Sequence, residues 1–235
     1  MRIFTNLKEA VNEIERDLFE MGTLIHPESY QDKVVKDNHD FQTLELQAYS
    51  FTITNNKTLE QDFKDLGGNW EYVVKEVADR VSPFYLNPGN SWETRKEVWS
   101  QFLHNGKFAY TYNERIREQL PIIMENLRLN PNTRQAIVTL YDKDRDLNNV
   151  GGKARIPCSM YYQFLIRPIS GKAYLDVLYT MRSCDFYTHF IYDIVMTMLL
   201  RDFVANRLNL DPGKFSQFIG SLHIYRKDWD KQRIF

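Results

Sequence analysis

The sequence predicts an α+β fold in a single domain spanning residues 1–235. Two observations carry this. The first half places apolar residues at helical spacing, whereas the second half shifts to short β-branched and aromatic runs around one long apolar helix. No repeat, linker-like tract or break in composition separates the halves. A chain of 235 residues that is 43% hydrophobic and 26% charged has the composition of a globular protein. At that length it buries roughly three-quarters of its unfolded surface, enough for a closed site.

Leu7, Val11, Ile14 and Leu18 lie at helical spacing behind Thr5 and Asn6, which predicts an amphipathic helix over Leu7–Met21. From Met21 to Gln42 the residues His26, Pro27, Asp32, Lys33, Lys36, Asp37 and Asp40 follow no period and read as a long charged loop. Thr43–Ile53 alternates around Leu44, Leu46 and Ala48 as a strand, and Asn55-Asn56 and Gly67-Gly68 punctuate the connection after it. Trp70–Val81 and Glu93–Phe102 read as helices separated by Ser82-Pro83 and Asn87-Pro88-Gly89. In Glu114–Leu129 the face Ile116, Leu120, Ile123 and Leu127 is helical, with Pro121 as a kink or start. Ala136–Tyr141, Cys158–Arg167 and Tyr174–Met181 read as strands, the last two joined by Ser170-Gly171 as a hairpin. Thr188–Arg207 is apolar on most faces and is expected inside the core. Asp211-Pro212-Gly213 ends the next connection, and Phe215–Tyr225 forms a last strand.

Thirty Lys and Arg against 31 Asp and Glu give a net charge of −1, which excludes coating of nucleic acid or anionic membrane as a main task. Any anion is then held by a few placed cations. Two cysteines make no disulfide framework, and no early apolar segment suggests secretion, so a cytoplasmic setting is expected. The most apolar stretch, Phe190–Val204, contains Asp193, Arg201 and Asp202 and is no membrane span. The histidines and cysteines lack metal-ligand spacing, so no metal is expected. Gly67-Gly68 and Gly151-Gly152 lack the phosphate-loop pattern, which removes kinase and dinucleotide readings.

The chemistry concentrates in four separated segments: Pro157-Cys158 followed by Tyr162-Gln163-Phe164, then Arg182-Ser183-Cys184-Asp185, then Gly220-Ser221-Leu222-His223-Ile224-Tyr225, with Asn130-Pro131-Asn132-Thr133-Arg134 upstream. Singly each has a structural reading: Cys158 as a small buried hydrophobe, Arg182 and Asp185 as a surface pair, His223 as a core histidine. In combination their order and spacing resemble the thymidylate synthase superfamily, over about Trp70 to Tyr225. Glu71–Glu76 resembles the helix that carries the family's catalytic glutamate, and Trp99 and Tyr112 fall where it has an active-site Trp and Tyr.

The resemblance implies a mixed β-sheet with flanking helices and a homodimer packed sheet to sheet. It also implies a pyrimidine deoxynucleoside monophosphate as substrate and 5,10-methylenetetrahydrofolate as one-carbon donor. Cys158 would add as thiolate to C6 of the base and make C5 nucleophilic; a free thiol has a pKa of about 8.5, so an adjacent cation favours the reactive form. By the same resemblance Arg182 lies near the thiol and binds phosphate with Ser183, and Arg134 reaches the phosphate across the dimer. Glu76 organises water and proton transfer, and Tyr112 and Trp99 line the pocket. Asp185 belongs to the substrate-binding motif, His223 and Tyr225 contact the sugar hydroxyl, and Gln163 is a structural neighbour. Cys184 is a buried filler.

Asp193 stands eleven positions after Arg182, where thymidylate synthases carry an Asn that donates to uracil O4 and accepts from N3–H. A carboxylate instead accepts from the cytosine 4-amino group and from a protonated N3, so cytosine is expected over uracil. This Asp and the Gly220–His223 segment resemble the deoxycytidylate hydroxymethylase branch, known from phages, which lets water complete a hydroxymethyl group on dCMP. Departures accompany the resemblance. Gln135 replaces the second arginine of the family's pair, and Lys33 and Lys36 are the candidates for the N-terminal phosphate contact. Ser159 stands where thymidylate synthases have His, and His189 where they have Gly, beside the base. The chain ends ten residues past Tyr225, short of the tail that closes over folate in the family. The readings to separate are therefore a dCMP hydroxymethylase, a thymidylate synthase or dUMP hydroxymethylase, and a weakly active or inactive nucleotide-binding homologue.

Overall fold

The computed structural model describes residues 1–31, 33–54, 57–150 and 154–232. Asp32, the Asn55-Asn56 punctuation, Gly151-Gly152 and the C-terminal Phe235 lie outside the described residues. Strand β1 (Arg2–Phe4) leads into helix α1 (Leu7–Met21). The Asn6 side chain accepts from the Glu9 N–H and starts the helix, while Leu7, Ala10, Val11, Ile14 and Leu18 are buried on one face. Each of the larger side chains contributes about 1.5–3 kcal/mol on burial.

The segment expected as a charged loop holds β2 (Thr23–Ile25), a two-stranded hairpin of β3 (Ser29–Tyr30) and β4 (Lys33–Val34), and a 3₁₀ turn at His39–Phe41. These strands are two or three residues long, too short to show a period of two. Strand β5 (Thr43–Ile53) has its expected bounds, yet Ala48 is exposed with a left-handed φ of 51°. The alternation is interrupted there, and Phe51 and Ile53 carry the burial instead.

Helix α2 (Leu59–Asp65) precedes α3 (Trp70–Val81), whose Asn69 side chain accepts from the Tyr72 N–H. The span expected as one helix over Glu93–Phe102 is a single α turn, α4 (Lys96–Trp99), between two 3₁₀ turns. Glu114–Leu129 likewise splits into α5 (Tyr112–Ile116), opened by a Thr111/Glu114 capping box, and α6 (Gln119–Leu129). Pro121 sits in the first turn of α6, where its missing N–H has no helical partner to lose.

Strand β6 (Ile137–Thr139) and a short helix α7 (Lys143–Asp146) precede the long hairpin of β7 (Ser159–Ile169) and β8 (Lys172–Asp185). Ser170 and Gly171, at φ 50° and 82°, make the two-residue turn that matches strand twist. A π-helical turn, Phe186–Phe190, then feeds α8 (Ile191–Arg207), buried on almost every side as its apolar composition requires. Strand β9 (Asp211–Tyr225) begins at the residues expected to end a connection, because Pro212 pairs with Leu175 of β8.

The sheet order is β1-β5-β9-β8-β7-β6, with β2 also against β5. It is mixed: β8 runs parallel to β9 and β1 to β5, and the remaining pairs are antiparallel. One apolar core runs from Phe4 to Ile224 and includes α8. No helix among the described residues is long and apolar enough to cross a membrane.

The register decides where the chemistry sits. The start of β7 lies beside the end of β8, so the Arg182 N–H donates to the Cys158 carbonyl at 2.8 Å. The parallel pairing sets Ser183 beside Ser221 and Asp185 beside His223. At Gly220 a Cβ would lie 2.8 Å from the Arg182 carbonyl oxygen, so only glycine lets β9 pass this closely. Gly220→Ala is expected to lower stability by about 1–3 kcal/mol in urea unfolding, as the strands shift to relieve the clash.

Candidate active site at the end of the sheet

The ends of β7, β8 and β9, the middle of α3 and the first turn of α8 enclose a cavity of about 220 Å³ lined by Cys158, Arg182, Ser183, Asp185, Glu76, Asp193, His189, His223, Tyr225, Trp99 and Tyr112. Of the twelve residues expected in a site, Arg134 alone is not in this lining. It is exposed in the loop before β6, where its carbonyl accepts from the Gln163 amide at 2.8 Å. Lys33 bonds Gln101 and Lys36 faces Glu28, and neither lines the cavity.

Cys158 is a free, half-buried thiol. The Arg182 guanidinium approaches its sulfur at 3.6 Å, fixed by bonds to the Pro157 carbonyl at 2.9 Å and the Ile156 carbonyl at 3.2 Å. The Gln31 amide reaches the same sulfur at 3.9 Å from the β3–β4 hairpin. Next to the nucleophile candidate, the Ser159 hydroxyl bonds the Tyr112 hydroxyl at 2.9 Å and also the Tyr179 hydroxyl.

Glu76 faces the cavity from α3. One carboxylate oxygen accepts from Arg80 Nε at 2.9 Å and the other from the Ser91 hydroxyl at 2.5 Å. Asp79, one turn on, accepts from the Asn90 and Ser91 N–H groups and so holds Ser91 in place. Arg80 is buried; it also donates to the Tyr162 hydroxyl at 3.0 Å and stacks over Tyr112 at 4.5 Å.

Asp193 is buried in the first turn of α8, and burial pushes its carboxyl up to about 7, with Arg80 acting in the opposite direction. The Cys184 thiol donates to it at 3.7 Å, so Cys184, read from sequence as filler, is also a polar neighbour of the cavity floor. Burial pushes the Cys184 thiol well up, which keeps it a donor. His189 stacks near Trp99, with ring centres 5.7 Å apart, and burial lowers its imidazole to about 4, helped by Arg95 and Arg155. Burial lowers His223 too, so both rings are neutral near pH 7. Asp185 accepts from the Thr188 N–H and anchors the π-helical turn that carries His189. Among the described residues no group of His, Cys, Asp or Glu is arranged to hold a metal ion.

Several lining residues had no place in the sequence motifs: Arg80, Arg95, Arg155, Tyr110, Tyr30 and Ser91. Arg80 had a signal, since it stands one helical turn after Glu76. Arg95 bonds the Thr188 carbonyl at 2.5 Å and lies 3.7 Å over the Tyr192 ring, a contact made across more than ninety residues.

A half-exposed thiol beside a guanidinium, buried carboxyl groups and aromatic walls are the parts that nucleophilic addition to a planar ligand calls for. The thymidylate synthase family model matches residues 33–234, and the chain belongs to that family. A protein of Methanosarcina barkeri named "Putative thymidylate synthase" is 32% identical over 150 residues, 59% of this chain and 64% of the relative. The chain thus aligns with less than two-thirds of that relative's length. Among solved structures, thermostable thymidylate synthase A from Bacillus subtilis superposes with a TM-score of 0.75 at 18% identity, covering 97% of this chain and 82% of that one. Thymidylate synthase from T4 phage gives 0.66 at 22% identity, over 96% and 79%. At these identities the structures establish the shared fold.

Breaking the Glu76–Arg80 pair, in which the arginine is buried and the carboxylate half-buried, leaves Glu76 with the Ser91 hydroxyl but without its cation. Arg80→Met is expected to cost about 3–5 kcal/mol in urea unfolding, and Glu76→Gln added to it should recover much of that loss.

Proposed function

We propose that the protein transfers a one-carbon unit to C5 of a pyrimidine deoxynucleoside monophosphate, with dCMP as substrate and 5-hydroxymethyl-dCMP as product. Family membership supports the class of reaction, and Asp193 on the cavity floor is the observation that carries the choice of base.

Cys158 adds to C6, and the electron density this places on C5 turns a poor nucleophile into a competent one. Arg182, pinned by two carbonyls, stays 3.6 Å from the sulfur and meets the charge that develops there as the sulfur adds and leaves. Glu76, held by Arg80 and Ser91, serves the proton transfers around the ring. Loss of the C5 proton with release of tetrahydrofolate would leave an exocyclic methylene on C5; water adds to that carbon as the hydroxymethyl group, and expulsion of the Cys158 sulfur from C6 then restores the C5=C6 bond.

The flat walls of Trp99, Phe108 and Tyr110, with the Arg155 guanidinium among them, fit a planar group with an anionic end, as 5,10-methylenetetrahydrofolate has. When bound, that donor supplies carbon at the oxidation level of formaldehyde. His223, Tyr225, Ser183 and Asp185 serve the nucleotide, and Arg134, exposed in its own protomer, serves the phosphate of a partner in a homodimer.

Base choice follows from the protonation of Asp193. Above about pH 7 its carboxylate accepts from the cytosine 4-amino group and from N3 once that nitrogen is protonated in the C6 adduct. Below that the neutral acid carries one donor and one acceptor, the pattern of an amide, which suits uracil O4 and N3–H but no longer offers the two acceptors that the N3-protonated cytosine adduct requires. This gives the second reading, thymidylate synthase or dUMP hydroxymethylase activity, its specific support, alongside the relatives' names.

The test is tritium release from C5-labelled dCMP and dUMP with methylenetetrahydrofolate. Release from dCMP, abolished in Cys158→Ala with nucleotide binding kept, is expected; release from dUMP alone sinks the cytosine reading, and release from neither favours an inactive homologue. Mass analysis of the product separates methyl from hydroxymethyl. The dCMP kcat/KM should fall as pH drops through about 7, and Asp193→Asn should abolish that limb and turn preference toward dUMP.

The same carboxyl is linked to stability. Its folded pKa lies above the unfolded value, so the penalty for burying it is absent below the ordinary carboxylate range and complete once pH exceeds about 7. Asp193→Asn should therefore raise the Tm relative to the parent at pH 8 and much less at pH 5.

A further inference from the structure

The arginines around the cavity differ in what occupies them. Arg182 is bound by two carbonyls and the Cys158 sulfur, Arg80 by Glu76 and Tyr162, and Arg95 by the Thr188 carbonyl. Arg155 has no such partner. Among the described residues its guanidinium makes ring contacts alone: the guanidinium carbon lies 4.0 Å from the centre of Phe102, 5.4 Å from Tyr110 and 5.6 Å from Trp99. Its Nε is buried with no hydrogen-bond partner.

Three rings surround this guanidinium and its Nε is shielded from water, which strengthens whatever that nitrogen pairs with. A buried N–H left unpaired is costly, so an arrangement that holds one at a cavity wall suits a ligand that accepts from it. Position adds to this. Arg155 immediately precedes the Ile156 and Pro157 carbonyls that pin Arg182, and it lines the same cavity as Cys158. The charge of Arg155 is felt at Tyr30, Tyr110 and His189, three side chains on three separate segments facing that space.

We propose that Arg155 is an anion-binding residue of this cavity and takes an oxyanion of a bound ligand, either the phosphate of the nucleotide or a carboxylate of the one-carbon donor. The assignment rests on the reading of the site as a pyrimidine-nucleotide site. It gives each protomer an anion anchor of its own, beside whatever Arg134 contributes across a dimer.

Titration calorimetry on the full chain tests it, comparing the parent with Arg155→Gln and Arg155→Lys. The probes are dCMP, dUMP, the phosphate-free deoxycytidine, tetrahydrofolate in the presence of nucleotide, and inorganic phosphate. Arg155→Gln is expected to weaken one oxyanion ligand by about 10- to 100-fold, the range for a charge-assisted hydrogen bond. Arg155→Lys should restore part of the loss because it keeps the charge without the planar fork. Weaker dCMP or dUMP with unchanged deoxycytidine identifies the phosphate, and weaker tetrahydrofolate with unchanged nucleotide identifies the carboxylate. Unchanged affinity for every probe in a variant that melts like the parent overturns the proposal. If the parent binds neither dCMP nor dUMP, the nucleotide reading falls, and inorganic phosphate then decides the arginine by itself: weakened binding in Arg155→Gln upholds it and unchanged binding overturns it.

Discussion

The site depends on one strut, the Arg182 side chain. It leaves the end of β8, crosses to the segment entering β7, and is held there by the carbonyls of Ile156 and Pro157 while its own N–H bonds the Cys158 carbonyl. Main chain and side chain of one residue thus fix the backbone on which the thiol sits. The position of the sulfur is set by strand pairing and the position of the cation by that same backbone, so neither can move without the other. Everything else in the cavity is arranged around this pair.

Buried charge is the second constraint. Asp193 faces the cavity from the first turn of α8, and burial opposes its ionisation. Arg80 joins α3 to the sheet through Tyr162, pairs with Glu76 and lowers the cost of a charge at Asp193. A carboxylate at position 193 therefore belongs with a cation on α3, and the two are parts of one electrostatic arrangement.

Long elements were legible in the sequence for direct reasons: α1, α3 and β7 present enough residues to one environment for a period to emerge, and α8 is apolar on nearly every face. The short strands between Met21 and Gln42 and the broken helix around Lys96 were not, since three residues carry no period and their conformation is imposed by neighbours. That Cys158, Arg182 and His223 line one cavity was legible because their motifs follow the family's order along the chain. Arg95 and Arg155 were hidden because their partners, Tyr192 and Phe102, are distant in sequence, and nothing local marks an arginine as stacked on a ring.

The two-residue turn at Ser170-Gly171 has a consequence for how the site comes together in time. It joins β7 to β8 by the shortest connection a hairpin allows, so bringing Cys158 beside Arg182 costs little chain entropy. His223 and Tyr225 reach the same cavity on a strand whose other neighbour is β5, which pairs Thr43 with Tyr225 from nearly opposite ends of the chain. The thiol and its cation belong to a local unit of low contact order, whereas His223 and Tyr225 belong to the pairing of greatest sequence separation in the sheet. Partial opening of the β5–β9 pairing would thus expose the His223 and Tyr225 side of the cavity while the Cys158 thiol kept Arg182 beside it.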